Sequence, residues 1–280
     1  MKEFVKKILN RLALYHPLQT LYRSILFSFQ KKKYRKIYRQ YKGRGCTCNV
    51  CLSEYTKFVE NFPLPKDKEA IEKNQVIAGY GPNVFCPNCL STSRERLIIA
   101  LLQNEFDVDE KKILHLAPEK NIYDYLKGKA EVITADISPG FYKNIDRLVQ
   151  KQDITNLTFC DDTFDIVIGN HILEHIPDDN LAMKEIHRIL KPLGIAILQI
   201  PYSEIIHDTL ETPYISDPKL CSKLYGQKDH VRIYQLKNYL HRLQMAGFTV
   251  DLITNDELKK YDEFAIQADE HFVKITKAIS

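Results

Sequence analysis

No run of residues in this chain is long and apolar enough to cross a bilayer. Near the start, the longest uncharged stretch, Leu12 to Tyr22, falls far short of the roughly 20 residues that a membrane helix requires. A secretory signal is missing too: Arg11 interrupts the early apolar run and no small-residue cleavage site follows. Internal repeats and low-complexity tracts are not evident. With spans and secretion set aside, the expected location is the cytoplasm, where thiols stay reduced and paired cysteines point to metal before disulfide. The composition is that of a soluble globular protein, 27% charged and 44% hydrophobic. Its 280 residues accommodate one good-sized domain plus a small one.

The net charge of +4 hides an asymmetry. Residues 1–45 hold 13 of the 40 Lys/Arg and a single acid, Glu3, leaving 27 bases against 35 acids in the rest. A basic arm on a mildly acidic body suits an anionic lipid surface, nucleic acid or an acidic polymer, and equally a plain solvated helix. Within the arm, Phe4, Ile8, Leu12 and Tyr15 share a helical face, and Pro17 is expected to break or kink it. Leu18 to Phe29 then leads into Lys31-Lys32-Lys33-Tyr34-Arg35-Lys36, where a tyrosine interleaves the bases as membrane-interface and nucleic-acid segments do.

Five of the seven cysteines fall between residues 44 and 90. Cys48-x-x-Cys51 and Cys86-x-x-Cys89 each present two thiolates from one tight turn, and together supply the four sulfurs of a tetrahedral Zn²⁺ site. Such a closed site holds the fold and does no chemistry. Cys46 could compete with Cys48, while Cys160 and Cys221 read as ordinary structural cysteines.

From about residue 111, strand and helix alternate. Strands are expected at 113–116, 132–135, 148–152, 164–169 and 195–200, with closing strands at 248–254 and 271–275. Helices are expected at 94–105, 121–126, 181–190 (capped by Asp178, Asp179 or Asn180) and 234–245. This alternation implies a parallel sheet covered on both faces. Such sheets bind ligands beyond the carboxyl ends of their strands, where the strand order reverses. The first strand ends at His115-Leu116-Ala117-Pro118-Glu119, with Pro118 suited to a first helical turn whose free N–H groups could face an anion. The second ends at Asp136, placed to accept hydrogen bonds from both hydroxyls of a ribose. Asp153 follows the third; it could accept a bond from an exocyclic amine, with Ile154 packing on the base. A dehydrogenase-like nucleotide fold is disfavoured because the glycine fingerprint after the first strand is absent.

The succession Asp153-Ile154-Thr155, Asp161-Asp162-Thr163-Phe164-Asp165-Ile166-Val167, Asn170-His171-Ile172-Leu173-Glu174-His175-Ile176 and Leu190-Lys191-Pro192-Leu193-Gly194 resembles the ordered motifs of class I S-adenosylmethionine-dependent methyltransferases, over roughly residues 110–255. It is similar to the type 11 group, some members of which carry a CxxC…CxxC module just ahead of the domain. Tyr225 to Arg232 is similar to a late motif of that subgroup. The resemblance implies an α/β, Rossmann-like, seven-stranded methyltransferase sheet preceded by a small zinc-ribbon-like module and a basic N-terminal helix. The implied division is 1–43 arm, 44–104 zinc module with its connecting helix, and 105–280 methyltransferase domain. S-adenosylmethionine would be held by the first-loop residues His115, Ala117 and Glu119, by Asp136 on the ribose, by Asp153 and Ile154 at the adenine, and by Asn170 and His175 along the cleft. Two departures stand out: Ala117-Pro118 replaces the usual glycines of the first loop, and Leu193 stands where a glycine is common.

Methyl transfer is an in-line displacement, so the protein must align the acceptor and, where needed, take its proton. His171 and the pair Asp229-His230 are the candidate catalytic residues, with His175 a further base or a packing histidine. His171 and His175 would share a face if helical, a spacing that also invites a metal; that reading is set aside because no third ligand suggests itself. Arg232 could hold an acidic substrate group bidentately, or form a surface ion pair. Residues 203–233 form a long insertion of the kind that carries acceptor specificity. No Asn-Pro-Pro-Tyr-like sequence follows the fourth strand and no cysteine suits C5-pyrimidine chemistry. The expected function is therefore methylation of a small molecule or of a saccharide or glycan, with the arm holding the chain peripherally at the inner membrane face. The alternatives are an RNA methyltransferase gripping phosphates with the arm and zinc module, and a non-catalytic methyltransferase-like binding module.

Overall fold

The structure, a computed structural model, describes residues 15–279 apart from 213, 214 and 216. The helical face drawn through Phe4, Ile8 and Leu12 lies outside the described residues. Helix α1 (Tyr15–Ile37) is continuous past Pro17 among the described residues, and the break expected between it and the preceding face falls on residues outside them. Among the described residues, no helix is long and apolar enough to cross a membrane.

Four short strands follow: β1 (Lys42–Thr47), β2 (Glu54–Tyr55), β3 (Val59–Asn61) and β4 (Gly81–Phe85), with helix α2 (Lys68–Lys73) between the last two. They pair as two separate antiparallel ribbons, β1–β2 and β3–β4, and neither ribbon would be stable alone. Helix α3 (Ser93–Asn104) starts at a capping box, in which the Thr92 hydroxyl accepts from the Glu95 N–H while the Glu95 carboxylate accepts from the Thr92 N–H.

The main sheet contains β5 (Lys112–Leu116), β6 (Glu131–Asp136), β7 (Gln150–Lys151), β8 (Phe164–Ile168), β9 (Leu190–Ile197), β13 (Phe248–Ile253) and β14 (Phe272–Lys277). The order is β13-β14-β9-β8-β5-β6-β7, parallel from β9 to β7 and antiparallel at β14 and β13. Seven strands in an α/β arrangement match the expected fold class. The sheet is apolar on both sides because helices cover both sides. One core cluster sets Leu114, Val167 and Ala196 against Met183 and Ile186 of α5 (Asp179–Ile189) and Leu243 of α7 (Leu236–Met245). The alternate residues Ile113, Ile166 and Ile197 pack instead with Leu97, Ile98 and Leu101 of α3 and Ile122 of α4 (Lys120–Leu126). Asp178 caps α5, accepting from the Leu181 N–H.

Three expectations need correcting. The third strand is two residues long, and Leu148 lies exposed. The helix expected at 234–245 starts two residues later, because Tyr234 and Gln235 belong to β12 (Arg232–Gln235). The insertion at 203–233 is not one long loop: β10 (Tyr202–Ser203), β11 (Leu210–Glu211) and β12 form a three-stranded sheet, β10-β12-β11, with α6 (Pro218–Tyr225) before β12.

Arg96 ties the cysteine region to the chain's C-terminal part. Its fully buried guanidinium donates to five carbonyls: Asn83, Val84, Ser91, Phe264 and Ala265. Arg96→Met would fill much of the space but strand those carbonyls, so a loss of at least about 3 kcal/mol is expected. A urea midpoint indistinguishable from that of the parent protein would refute this role.

Candidate functional site

The chain runs from β5 to β7 in one direction and then returns across the sheet to β8, so the strand order reverses at the β5/β8 boundary. A cavity of about 270 Å³ opens at the carboxyl ends beside it, lined among others by Ala117, Asp136, Asp153, Ile154, Ile172 and Ile176. Asp136 is half-buried and accepts from the Ser138 N–H at 2.6 Å; burial pushes its carboxyl above the usual range despite that bond. Asp153 is exposed, and Thr155 donates to it from both backbone and hydroxyl, which lowers its pKa. Ala117 has φ +44° and Leu193 φ +64°, so both departures from glycine sit in the left-handed conformation that glycine adopts freely. The first loop thus takes its turn at a cost of about 1 kcal/mol.

Four residues expected at the cofactor do not line this cavity: His115, Glu119, Asn170 and His175. His115 is fully buried behind the loop, where its Nε2 accepts from the Glu119 N–H; burial pushes it down to about 4, so it stays neutral. Glu119 takes Arg94 at 2.8 Å on one oxygen and the Asn170 amide at 2.8 Å on the other. Burial alone would raise its pKa, but these donors hold it below the ordinary value. These residues brace the loop between α3, β5 and β8.

Glu270 is buried within the field of Arg94 and Glu119, and burial raises its carboxyl to about 7, with Arg94 opposing. A raised carboxyl favours the folded state while it is protonated. That stabilisation is complete below about pH 4.5 and is lost as pH rises through 7. The difference amounts to about 3 kcal/mol. Glu270→Gln is therefore expected to flatten the fall in urea stability between pH 5 and pH 8. An unchanged slope would count against it.

A second, smaller cavity of about 40 Å³ is lined by Tyr80, His171, Pro201, Tyr225, Gln227 and His230, among others. His171 is held at φ +52° by its N–H, which donates to the Gln199 carbonyl. The stretch is not helical, since only Leu173–His175 form a 3-10 turn, so the shared helical face of His171 and His175 does not exist. Three imidazoles nevertheless gather, around a residue the sequence reading quoted without giving it a role. Glu174 is fully buried and neither of its oxygens receives a hydrogen bond. His171 Nδ1 stands 3.3 Å from its Oε1, and His230 Nε2 stands 4.0 Å from it. The rings of His175 and His230 meet edge to face at 4.7 Å. Burial holds His230 down to about 4. Asp229 is not His230's partner: its side chain is 54% exposed and accepts from Gln227, while its backbone carbonyl meets His175 Nδ1 at 2.9 Å.

Arg232 is neither a substrate anchor nor a surface ion pair. It is buried, donates to the carbonyls of Leu173, Ile176 and Pro177, and pairs with Glu211. It thereby fixes the turn that presents Glu174 and His175.

In the cysteine region, Cys48, Cys51, Cys86 and Cys89 bring all four Sγ atoms within 4.8 Å of one another, with Cys48–Cys89 at 3.6 Å and Cys51–Cys86 at 3.7 Å. Tetrahedral zinc with Zn–S bonds of about 2.3 Å needs sulfur separations of about 3.8 Å. Cys46 lies outside the group, so it does not displace Cys48. The two knuckles are copies of one turn, contrary to the expectation of no internal repeat. In Cys48–Ser53 and Cys86–Ser91 the sequence Cys-x-x-Cys-Leu-Ser recurs. Each copy has the leucine at positive φ, a leucine N–H donating to the first cysteine's carbonyl, and that cysteine's N–H donating to the serine carbonyl.

The family model described as "Methyltransferase domain" matches residues 119–198. A curated relative, "Uncharacterized protein YafE" of Escherichia coli (strain K12), is 25% identical over 143 residues, covering 45% of this chain and 63% of that protein; the chain thus spans less than two thirds of its length. Among solved structures, the S-adenosylmethionine dependent methyltransferase from Mesorhizobium loti is 15% identical with TM-score 0.45, over 64% of this chain and 96% of that one. The YcgJ protein from Bacillus subtilis is 16% identical with TM-score 0.41, over 66% and 98%. The family match falls on the segment that supplies β6, β7, β8 and all of β9 and that carries both Asp136 and Asp153, and on that ground residues 119–198 of this chain are those of a methyltransferase domain, set behind a four-cysteine module.

Proposed function

We propose that the chain transfers a methyl group from S-adenosylmethionine to a small-molecule, saccharide or glycan acceptor. The observation that carries this is the 270 Å³ cavity at the strand-order reversal, with two carboxylates and an apolar wall facing one nucleoside-sized space. Asp136 would take both ribose hydroxyls, Asp153 the exocyclic amine of adenine, and Ile154 would pack on the base. Ala117 would bring its backbone close to the methionine part. When bound, S-adenosylmethionine supplies an activated methyl on a sulfonium, so alignment is the chief task left to the protein. The neighbours His171 and Ile172 line different cavities, so the 40 Å³ space lies beside the cofactor cleft, which supports it as the side from which the acceptor would approach. His171 and His230 are the candidate bases there; Asp229 would contribute only its carbonyl.

The domain division at residues 43 and 104 and a structural Zn²⁺ on Cys48, Cys51, Cys86 and Cys89 belong to the same reading. So does a peripheral place at the inner membrane face. In support of the last, α1 exposes Leu21, Tyr22 and Phe29 next to the cluster that starts at Lys31, a pairing suited to an anionic interface.

Calorimetry of the full chain with S-adenosylhomocysteine tests the core of the proposal. One equivalent should bind with measurable heat. Silence at saturating ligand would leave only a binding module of methyltransferase shape.

A further inference from the structure

We propose that Glu174, His175 and His230 bind a second divalent transition-metal ion, separate from the four-cysteine site. The case begins with Glu174. A fully buried carboxylate with no well-aligned hydrogen bond to either oxygen, its nearest donor being His171 Nδ1 at 3.3 Å, is costly unless a cation compensates it, and among the described residues no Lys or Arg pairs with it. What surrounds it is imidazole: His171, His175 and His230, with Tyr239 engaged elsewhere as a donor to the Leu198 carbonyl. One ligand atom from each of Glu174, His175 and His230 lies within 4.8 Å of the others.

The orientation of His175 supports coordination independently. Its Nδ1 sits 2.9 Å from the Asp229 carbonyl, so Nδ1 carries the proton and donates, leaving the Nε2 lone pair free. A backbone acceptor behind the imidazole is the arrangement that fixes the tautomer of metal-bound histidines. The spacing is slightly open: two bonds of about 2.1 Å allow ligand atoms no more than about 4.2 Å apart. The 4.0 Å between His230 Nε2 and Glu174 Oε1 meets that limit, and the 4.8 Å bound on the three ligand atoms leaves about 0.6 Å to close, a shift the partly exposed His175 ring can make with Nδ1 still on the Asp229 carbonyl.

Two imidazoles and a carboxylate favour Zn²⁺, Fe²⁺, Co²⁺ or Mn²⁺ over Mg²⁺ or Ca²⁺. Three protein ligands leave a coordination position open, as in catalytic rather than structural sites. His171 and His230 line the 40 Å³ cavity, so the open position faces that space and would take an oxygen donor. That this donor is a hydroxyl or carboxylate of the methyl acceptor rests on the methyltransferase reading, and with the ion bound His230 is a ligand and His171 alone is left as a base; the ion itself does not rest on that reading.

The test is a metal count. The full chain, equilibrated with micromolar Zn²⁺ and freed of excess, should retain two zinc ions. Glu174→Gln, His230→Gln and the milder His175→Asn should each retain one, with circular dichroism and S-adenosylhomocysteine heat unchanged. Loaded with Co²⁺, the native chain should show thiolate charge-transfer bands from one ion only, and the three variants should keep those bands in full. One zinc in the native chain, or two in the native chain and in His175→Asn alike, overturns the proposal. Because the count needs no cofactor, a missing second ion and a missing cofactor heat are separate failures.

Discussion

Asp136→Ala is expected to weaken S-adenosylhomocysteine binding by about 100-fold, while Asp153→Ala weakens it by less than about 10-fold. Both carboxylates line the same cavity, but their surroundings differ. Asp136 is half-buried at the end of an interior strand, with one oxygen taken by Ser138 and the rest of its accepting capacity facing the cleft. Hydrogen bonds to a charged group contribute about 1.5–3 kcal/mol each, and two to the ribose hydroxyls give the 100-fold figure at the low end. Asp153 is open to water and already saturated in part by Thr155, so its bond to an adenine amine replaces a good bond to solvent. Calorimetric titration of both variants checks the ranking. Equal losses at the two positions would mean that the nucleoside does not lie along this wall. Asp136→Asn should recover part of the affinity, because an amide oxygen still accepts where the methyl of alanine cannot.

The parts of the molecule legible in the sequence are those written in local pattern. Strand–helix alternation and apolar runs such as Ile113 to Leu116 announce a covered parallel sheet, since burial on both faces demands them. That Asp136 and Asp153 line the cavity is readable because strand ends place residues at a fixed edge. The four clustered cysteines declare themselves by spacing, although the deeper regularity, a hexapeptide used twice, needs the backbone bonds to be appreciated. What stayed hidden depends on long-range packing. Arg232 reads as a surface cation, yet it is buried under carbonyls 55 to 59 residues away in sequence. Arg96 is likewise a charge inside an amphipathic helix until Phe264 and Ala265 fold over it. Glu174 and His230 are 56 positions apart, and neither periodicity nor motif spacing pairs them; only the turn held by Arg232 does. His115 misled for the opposite reason. It lies in the right loop, but strand alternation turns its ring inward to cap Glu119.

The Zn²⁺ proposed for the four-cysteine site gives the largest expected effect of all, on its removal. The apolar cluster around that site is small: its buried members are Tyr55, Phe58 and Ala265 together with Cys48 and Cys86 themselves. Each of its two ribbons has only two strands, and around the knuckles the main tie to the rest is Arg96, held by the carbonyls of Asn83, Val84 and Ser91; only residues 71–77 have a core of their own, with Ile71 and Val76 against Tyr225 and Ile233. Four thiolates this close repel one another strongly without a cation, so the knuckles cannot keep their arrangement once it is withdrawn. Structural zinc contributes roughly 10–16 kcal/mol of apparent binding free energy in small modules, more than a core of this size could replace. Chelation, or Cys86→Ser, should therefore open the ribbons around the knuckles to trypsin, at Lys57 above all, while α2, packed through Ile71 on Tyr225, and the main sheet resist. Cys46→Ser, outside the ligand group, should behave as the parent protein does. If the chelated chain keeps its protease resistance at Lys57, the four sulfurs are no metal centre, and the packing of Arg96 must hold the two knuckles in place.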